Sequence, residues 1–589
     1  MPHAEALPEW DLSDLYDGPE SPALEADLKT AEAAAAKLAA DYQGKMAALD
    51  GAGLARAIAD FEALIETVYR VTSYAQLLHA TNTTDADVGR FYQTLMERVN
   101  AITTRSLFFN LELNTIDHAV LETQLADPAA ARYAPWIRDS RAYRPHQLDE
   151  GQEKLLHEMD IVARSAWLRL FDETLAHLKF DLDGAEKPLT EVLNQLSDRE
   201  PAKREAAGKA LAAGLKSQER LFVQIANTLA KDKEIDDRWR KYEAPSAYRH
   251  LANRVEAEVV DALVDAVTDS YADLAHRYYG LKAKWVSVEK LNWWDRNAPL
   301  PDDANRRFTW DEARDTVLGA YGAFEPAMAA TAKRFFDDGW IDAPPRAGKN
   351  SGAFAHPTVP SAHPFVLLNF HGKARDVMTL AHELGHGVHQ VLAAPQGLLL
   401  AETPLTLAET ASVFGEMLTF RSLLNAETDD ARRRVLLAGK VEDMLNTVVR
   451  QIAFHRFESR IHAERRQGEI SAERIGEIWM ETQAESLGPA FNFDDDYRIL
   501  WTYISHFVHV PFYVYAYAFG DCLVNALYAV FQDGHPGFQA KYLEMLAQGG
   551  AKRHKELLAP FGLDASDPGF WKKGLGVISG FIDELEAAL

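Results

Sequence analysis

The run Thr379-Leu380-Ala381-His382-Glu383-Leu384-Gly385-His386-Gly387-Val388-His389-Gln390 constrains the fold more than any other stretch. It contains His-Glu-x-x-His. On a helix, His382 and His386 stand one turn apart and point the same way, as two ligands of one metal must. Imidazole suits zinc, and a catalytic zinc needs three protein ligands and an open position for water. Glu383 lies beside the first histidine, where its carboxylate can take a proton from that water. The lead-in Asp376-Val377-Met378 carries an acidic residue near the start and apolar residues at helical spacing, and no proline interrupts the run. The pattern predicts a helix that binds a metal.

Such a helix needs a partner that brings a third ligand. The candidate is Ala408-Glu409-Thr410-Ala411-Ser412-Val413-Phe414-Gly415-Glu416-Met417, read as one helix with Glu409, Val413 and Glu416 on one face. Glu409 would complete a two-histidine, one-glutamate site. Glu416, two turns on, could reach a ring nitrogen of a ligating histidine and fix its tautomer. In so acidic a chain, a solvated helix face is the plain alternative for either glutamate. Gly385, Gly387 and Gly415 each cost helix stability, about 1 kcal/mol against alanine. They make sense where two helices approach closely at a metal.

Residues 381–389 and 408–416 together resemble the oligoendopeptidase F family of the thimet-oligopeptidase-like zinc peptidases. The likeness extends to Pro364-Phe365-Val366-Leu367-Leu368-Asn369-Phe370, to the run from Pro511 to Gly520, and to Trp10-Asp11-Leu12-Ser13-Asp14-Leu15-Tyr16. It spans nearly the whole chain. It implies that His382, His386 and Glu409 hold one Zn2+ per chain and that Glu383 is the general base. It also implies a mostly α-helical architecture enclosing a substrate channel, with the zinc deep inside. Short flexible peptides would reach it and folded proteins would not.

The rest of the chain fits this expectation. Its 589 residues exceed one ordinary domain, and 47% of them are hydrophobic, enough for a large core. Alanine, leucine and glutamate are abundant over long proline-free stretches, which favours helices. The net charge of −26 argues against nucleic-acid or anionic-membrane partners. The single cysteine, Cys522, excludes an intramolecular disulfide. The first ten residues lack the basic start and apolar stretch of a signal peptide, and no run is long enough to span a membrane. A cytoplasmic location is expected.

Three regions are expected in order. Residues 1–116 read as long helices, at 31–42, 54–78 and 85–113. Residues 117–199 hold a helix over 152–178 and a hairpin whose turn is Asp183-Gly184; by the resemblance this is an oligopeptidase F N-terminal-type domain. Residues 200–589 form the peptidase domain, with helices over 202–232, 255–289 and 310–336 and a strand at 291–300. A small β-sheet is expected just before the zinc helix, from strands at 352–355 and 365–370. An extended peptide can add to an exposed strand edge, although an ordinary buried pair fits as well. The resemblance favours an edge beside the scissile bond, and makes Phe354, Asn369 and Phe370, with Tyr515, substrate-contact candidates. His356, His363 and His371 read as loop or turn histidines, and His389 as a lining or packing residue.

The aromatic run at 501–520 is the second candidate region. His506 and His509 precede Pro511, which suits the first turn of a helix carrying Tyr513 and Tyr517 one turn apart. A phenol or imidazole aimed at a developing oxyanion stabilises a tetrahedral intermediate. An aromatic stripe is also ordinary core, but the resemblance places histidine and tyrosines of this region on the substrate and the intermediate.

The expected activity is a zinc metallo-endopeptidase acting on short oligopeptides. Two alternatives remain open from sequence. One is a carboxypeptidase on the same scaffold. The other is a helical peptide-binding protein with structural zinc or none, against which the intact Glu383 speaks. Cobalt or manganese could also support activity at such a site.

Overall fold

The computed structural model describes residues 7–300 and 306–587. Nearly all the regular structure is helical. Among the described residues, no helix is long and apolar enough to cross a membrane. The chain folds into two compact units, each assembled from three separated stretches.

The first unit takes the chain up to Arg144, the stretch ending at Ala426, and Asp533–Leu563. It opens with the long helices Pro22–Tyr42 and Gly51–Thr81. Proline sits at the first turn of the former, where its missing N–H costs nothing. Asp50 caps the latter by accepting the Gly53 N–H. Leu54, Ile58, Phe61, Leu64, Val68 and Val71 then form its buried stripe. The helix expected over 85–113 is divided into Ala86–Thr104 and Leu107–Thr115. That over 310–336 is divided at Pro326, whose preceding residue Glu325 is extended at φ −156° and caps the second piece.

This unit also holds the small sheet. Phe365–Leu367 lies in the middle, parallel to Ile341–Asp342 and antiparallel to Phe354–His356. The middle strand is wholly buried, whereas Phe354–His356 is an edge strand. Trp10 packs its ring against Phe354 and Phe365 at 6.5 and 5.7 Å.

The second unit takes the stretch that begins at Pro145, Glu427–Gln532, and the stretch from Asp564. The expected hairpin is present: Phe180–Leu182 pairs with Ala185–Lys187, and Asp183 and Gly184 both have positive φ. The helix over 152–178 is two helices, Glu150–Asp160 and Arg164–His177. The strand expected at 291–300 shrinks to Leu291–Asn292 and turns into a short 3-10 helix, Trp293–Asp295. The turn is fixed because Asp295 accepts from the Asn292 N–H and from buried Arg204, at 3.2 and 2.9 Å. Phe222, Phe457, Trp479 and Trp501 centre the core of this unit. Cys522 is buried on the Tyr515–Gln532 helix, and burial pushes its thiol well above the usual range. It is a small core residue.

Candidate metal centre

The His-Glu-x-x-His motif lies on the helix Ala374–Ala393. Asp376 accepts the N–H groups of His371 and Lys373 at 2.8 and 2.9 Å, which fixes the helix start. Val377, Leu380, Ala381, Leu384 and Val388 bury one face. The glycines permit close neighbours. A Cβ on Gly385 would lie 2.5 Å from the Ala411 carbonyl oxygen and 2.6 Å from Ser412 Cα, both backbone atoms of the Thr410–Ala426 helix. A Cβ on Gly387 would enter the Phe335 ring, and one on Gly415 would enter Tyr321. Tyr321 uses the room at Gly415 to donate its hydroxyl to the Ala381 carbonyl at 2.5 Å. The two helices are therefore locked together one turn from the histidines.

That contact brings the three expected ligands into one group. His382 Nε2 and His386 Nε2 lie 3.3 and 3.5 Å from Glu409 Oε2. Ligand atoms about 2.0–2.2 Å from a tetrahedral metal are separated by roughly 3.3–3.6 Å. Both distances to Glu409 match that spacing, and the three ligand atoms lie within 4.8 Å of one another; His382, His386 and Glu409 are the one such group among the described residues. The side chains keep 27, 20 and 31% of their surface exposed, which leaves an open face for a further ligand. Glu416 Oε2 stands 3.4 Å from His382 Nδ1, the nitrogen turned away from Glu409, and so fixes the tautomer.

Glu409 is not inside a continuous helix, as the sequence suggests. It is the junction between the short helix Leu405–Ala408 and Thr410–Ala426. Its carbonyl accepts the Val413 N–H at 3.1 Å, and its carboxylate accepts the Ser412 hydroxyl at 2.7 Å. The break turns the carboxylate to the histidines, and the serine three residues on holds it there. Tyr542 donates to the Thr410 carbonyl at 2.8 Å, supporting the junction from below.

The electrostatics suit both metal binding and base catalysis. Burial raises the Glu383 carboxyl to about 7, against a weaker lowering by His382 and by the Ala355 N–H. A general base is most effective with its pKa near the working pH. Burial acts to lower His382, but Glu416, Glu409 and Glu383 outweigh it and hold the ring at about 9. Burial lowers His386 to about 4. Burial would raise Glu409, yet the two imidazoles and Ser412 keep it below its ordinary value. Three carboxylates thus face two rings, an excess of negative charge that a divalent cation neutralises.

The profile of Peptidase family M3 matches residues 194–577, more than half of the chain. The chain belongs to peptidase family M3. The Oligopeptidase F profile matches residues 112–180. The oligopeptidase PepF of Bacillus subtilis is 27% identical over 598 residues, covering 98% of this chain and 87% of that protein. The group B oligopeptidase PepB of Streptococcus agalactiae is 25% identical, covering 90 and 88%. Among solved structures, oligoendopeptidase-F from Enterococcus faecium superposes with a TM-score of 0.69 at 22% identity, covering 96 and 97% of the two chains. A candidate peptidase from Chlamydophila abortus gives 0.88 at 22% identity with complete coverage of both. These structures share the M3-type helical fold.

The M3 chain places its other expected site residues as follows. In the first unit, Phe354 is half-buried on the edge strand. Asn369 spends its amide hydrogens on the carbonyls of Asn350 and Gly352, at 2.9 and 3.1 Å, and so staples a loop. Phe370, expected at the substrate, is buried edge-on to Trp310. His356 accepts the Thr358 N–H at Nδ1, and His363 stacks on Trp340 with ring centroids 3.9 Å apart; neither joins the metal group. In the second unit, Tyr515 has no exposed surface, and its hydroxyl is engaged with His250 and Asn253 at 3.0 and 2.8 Å. It is a core residue rather than a substrate contact. His506 Nε2 lies 3.2 Å from the Tyr517 hydroxyl, and the Tyr513 ring is 5.2 Å from that of Tyr517. The helix begins at Tyr515 and not at Pro511, so Tyr513 reaches this cluster from a loop. His509 points to Asp172, with Nε2 2.8 Å from its carboxylate.

Two features escaped the sequence reading. A cleft of about 790 Å³ in the first unit reaches His386, His389 and Gln390. Gln390 donates its amide to the Ala355 carbonyl at 3.2 Å, tying the motif helix to the edge strand. Gln390 follows the motif by four residues, and that spacing was its only signal.

Proposed function

We propose that this M3 peptidase is a zinc-dependent oligoendopeptidase that cuts internal bonds of short peptides. The observation that carries the reading is the group of His382, His386 and Glu409, with both imidazoles at tetrahedral ligand spacing from the Glu409 oxygen and the Glu383 carboxyl next to it near pKa 7. The names of the PepF and PepB relatives support oligopeptides as the substrate class.

Bound at this group, zinc supplies Lewis-acid polarisation of the scissile carbonyl and acidifies water. Glu383 takes a proton from the attacking water and passes it to the departing amine nitrogen, so the carboxylate is regenerated each turnover. The Phe354–His356 edge receives the substrate as an added strand, which takes over the Ala355 carbonyl from the Gln390 amide and the Ala355 N–H from Glu383, and so reads backbone rather than side chains. His506, Tyr513 and Tyr517 act as hydrogen-bond donors to the substrate.

The test is a panel of peptides, free and blocked at both ends, digested by the zinc-loaded enzyme and by Glu383→Gln, with products identified by mass spectrometry. Internal cuts in blocked peptides are expected. The mutant is expected to lose roughly 10²–10⁴-fold in kcat while binding one equivalent of metal. Trimming confined to free C-termini would move the reading to a carboxypeptidase. Turnover unchanged in Glu383→Gln would exclude the base assignment.

A further inference from the structure

Phe512 is the one large apolar residue with positive φ among the described residues, at +59°. A bulky residue keeps that conformation only when its surroundings over-determine it. The helix Val449–Arg465 does so with three side chains at positions i, i+3 and i+7. Glu458 accepts the Phe512 N–H at 2.8 Å. The Phe512 ring lies against His462 and His455, with centroids 4.9 and 5.9 Å apart. The His-x-x-Glu-x-x-x-His spacing suggests metal binding, but its side chains instead pack around Phe512, His455 also facing the Tyr515 ring at 5.5 Å. Glu458 is 2% exposed.

The neighbouring backbone is held in the same way. Arg164 donates to the carbonyls of Val508 and His509 at 3.1 and 3.0 Å. Arg249 donates to the Pro511 carbonyl at 3.3 Å, and its guanidinium stands 5.7 Å from the Tyr513 ring centroid. Side chains, and not a strand or helix ladder, thus hold the carbonyls of 508, 509 and 511 and the N–H of 512. Immediately after Phe512 comes Tyr513, with its ring beside Tyr517 and His506.

We propose that Glu458 is a positioning residue of this peptidase: by accepting the Phe512 N–H it holds the left-handed turn that sets Tyr513 beside Tyr517 and His506. The inference rests on the reading that this tyrosine–histidine cluster acts on the substrate. The Tyr513 N–H closes this turn onto the Val510 carbonyl at 3.1 Å; without the Glu458 acceptor, Phe512 relaxes to negative φ, that bond opens and Tyr513 leaves its place. Burial pushes the Glu458 carboxyl up to about 8, so a neutral amide is a close mimic.

The test measures kcat, KM and hydrogen exchange of the Phe512 amide in the zinc-loaded full chain. Glu458→Ala is expected to lower kcat about ten- to hundredfold, to leave KM within about twofold, and to speed exchange at Phe512. Glu458→Gln keeps the acceptor and is expected to stay within about threefold of the parent kcat, with Phe512 protected. Glu458→Asp moves the acceptor by one methylene and serves if the alanine variant does not fold. It is expected to fall between the two in both readouts. Full kcat in Glu458→Ala with fast exchange overturns the proposal, as does a loss of kcat with Phe512 still protected. Tyr517→Phe separates the two readings. A lowered kcat in the parent, with little further loss in the Glu458→Ala background, is expected for groups acting as one unit. Full kcat in Tyr517→Phe would instead sink the role given to the cluster itself.

Discussion

At the residue scale, the centre is defined by how its charges compensate. Without metal, the carboxylates around His382 hold a proton on its ring up to about pH 9. A metal needs that nitrogen free, so binding expels the proton. The sign follows directly. His382 is raised, so the competing proton is present below pH 9 and lost above it. Metal affinity should rise by about tenfold per pH unit from pH 7 to 9 and then level off. Calorimetry in buffers of different ionisation enthalpy would show about one proton released per metal at pH 7. Glu416 acts on the same ring through Nδ1. Glu416→Ala should weaken metal binding about 10- to 100-fold, read by competition with a chromogenic chelator. Ligand chemistry and helical spacing make His382, His386, Glu409 and Glu416 candidates in the sequence, and the family resemblance favours Glu409 as a ligand over a solvated helix face. The Ser412 hydrogen bond that aims Glu409 was not legible there, since it depends on the helix break at 409.

At the element scale, the contact between Ala374–Ala393 and Thr410–Ala426 decides whether the ligands meet. Gly385→Ala would push a methyl into the Ala411 carbonyl. Backbone cannot move aside cheaply, so the helices must separate. A stability loss of about 1–3 kcal/mol is expected in denaturant unfolding, together with weaker metal binding. Gly439 provides the control. It is an exposed residue inside the helix Asp430–Thr447, with nothing near the place of a Cβ. Gly439→Ala should stabilise by about 0.5–1 kcal/mol and leave metal binding unchanged. The sequence could count glycines in helices, but only the packing separates those that permit a contact from those that do not. The tyrosine region shows the same limit. Pro511 reads as a helix start, yet the helix begins at Tyr515 because Glu458 and Arg249 hold the preceding backbone in a turn. Those partners are 54 and 262 residues away.

At the scale of the whole molecule, discontinuity matters most. The first unit needs its third stretch, because Tyr542 supports the Thr410 carbonyl and packs with Phe324, Phe414 and Phe538. A chain ending at residue 532 should therefore fail to bind metal although it retains all three ligands. Metal analysis of the purified fragment checks this. Metal also links to stability, since it binds the folded site and no preformed site exists in the unfolded chain. Free metal at 100 times its Kd should add about 2.7 kcal/mol. Chelation should lower Tm correspondingly and abolish hydrolysis, and both should return when metal is restored.

The sequence alone determined the helical class, the hairpin turn at Asp183-Gly184 and the pairing of His382 with His386, because each rests on local rules: apolar spacing, turn conformation and ligand chemistry on one face of a helix; Glu409, from another element, was a candidate that only the family resemblance singled out. Only the tertiary structure decided the rest. The helix break at Glu409, the burial of Phe370 and Tyr515, the pairing of His509 with Asp172 and the grip of Glu458 on Phe512 all depend on atoms far apart in the chain. Burial and partner geometry set whether a tyrosine fills a core or faces a substrate, and neither is a property of the residues next to it.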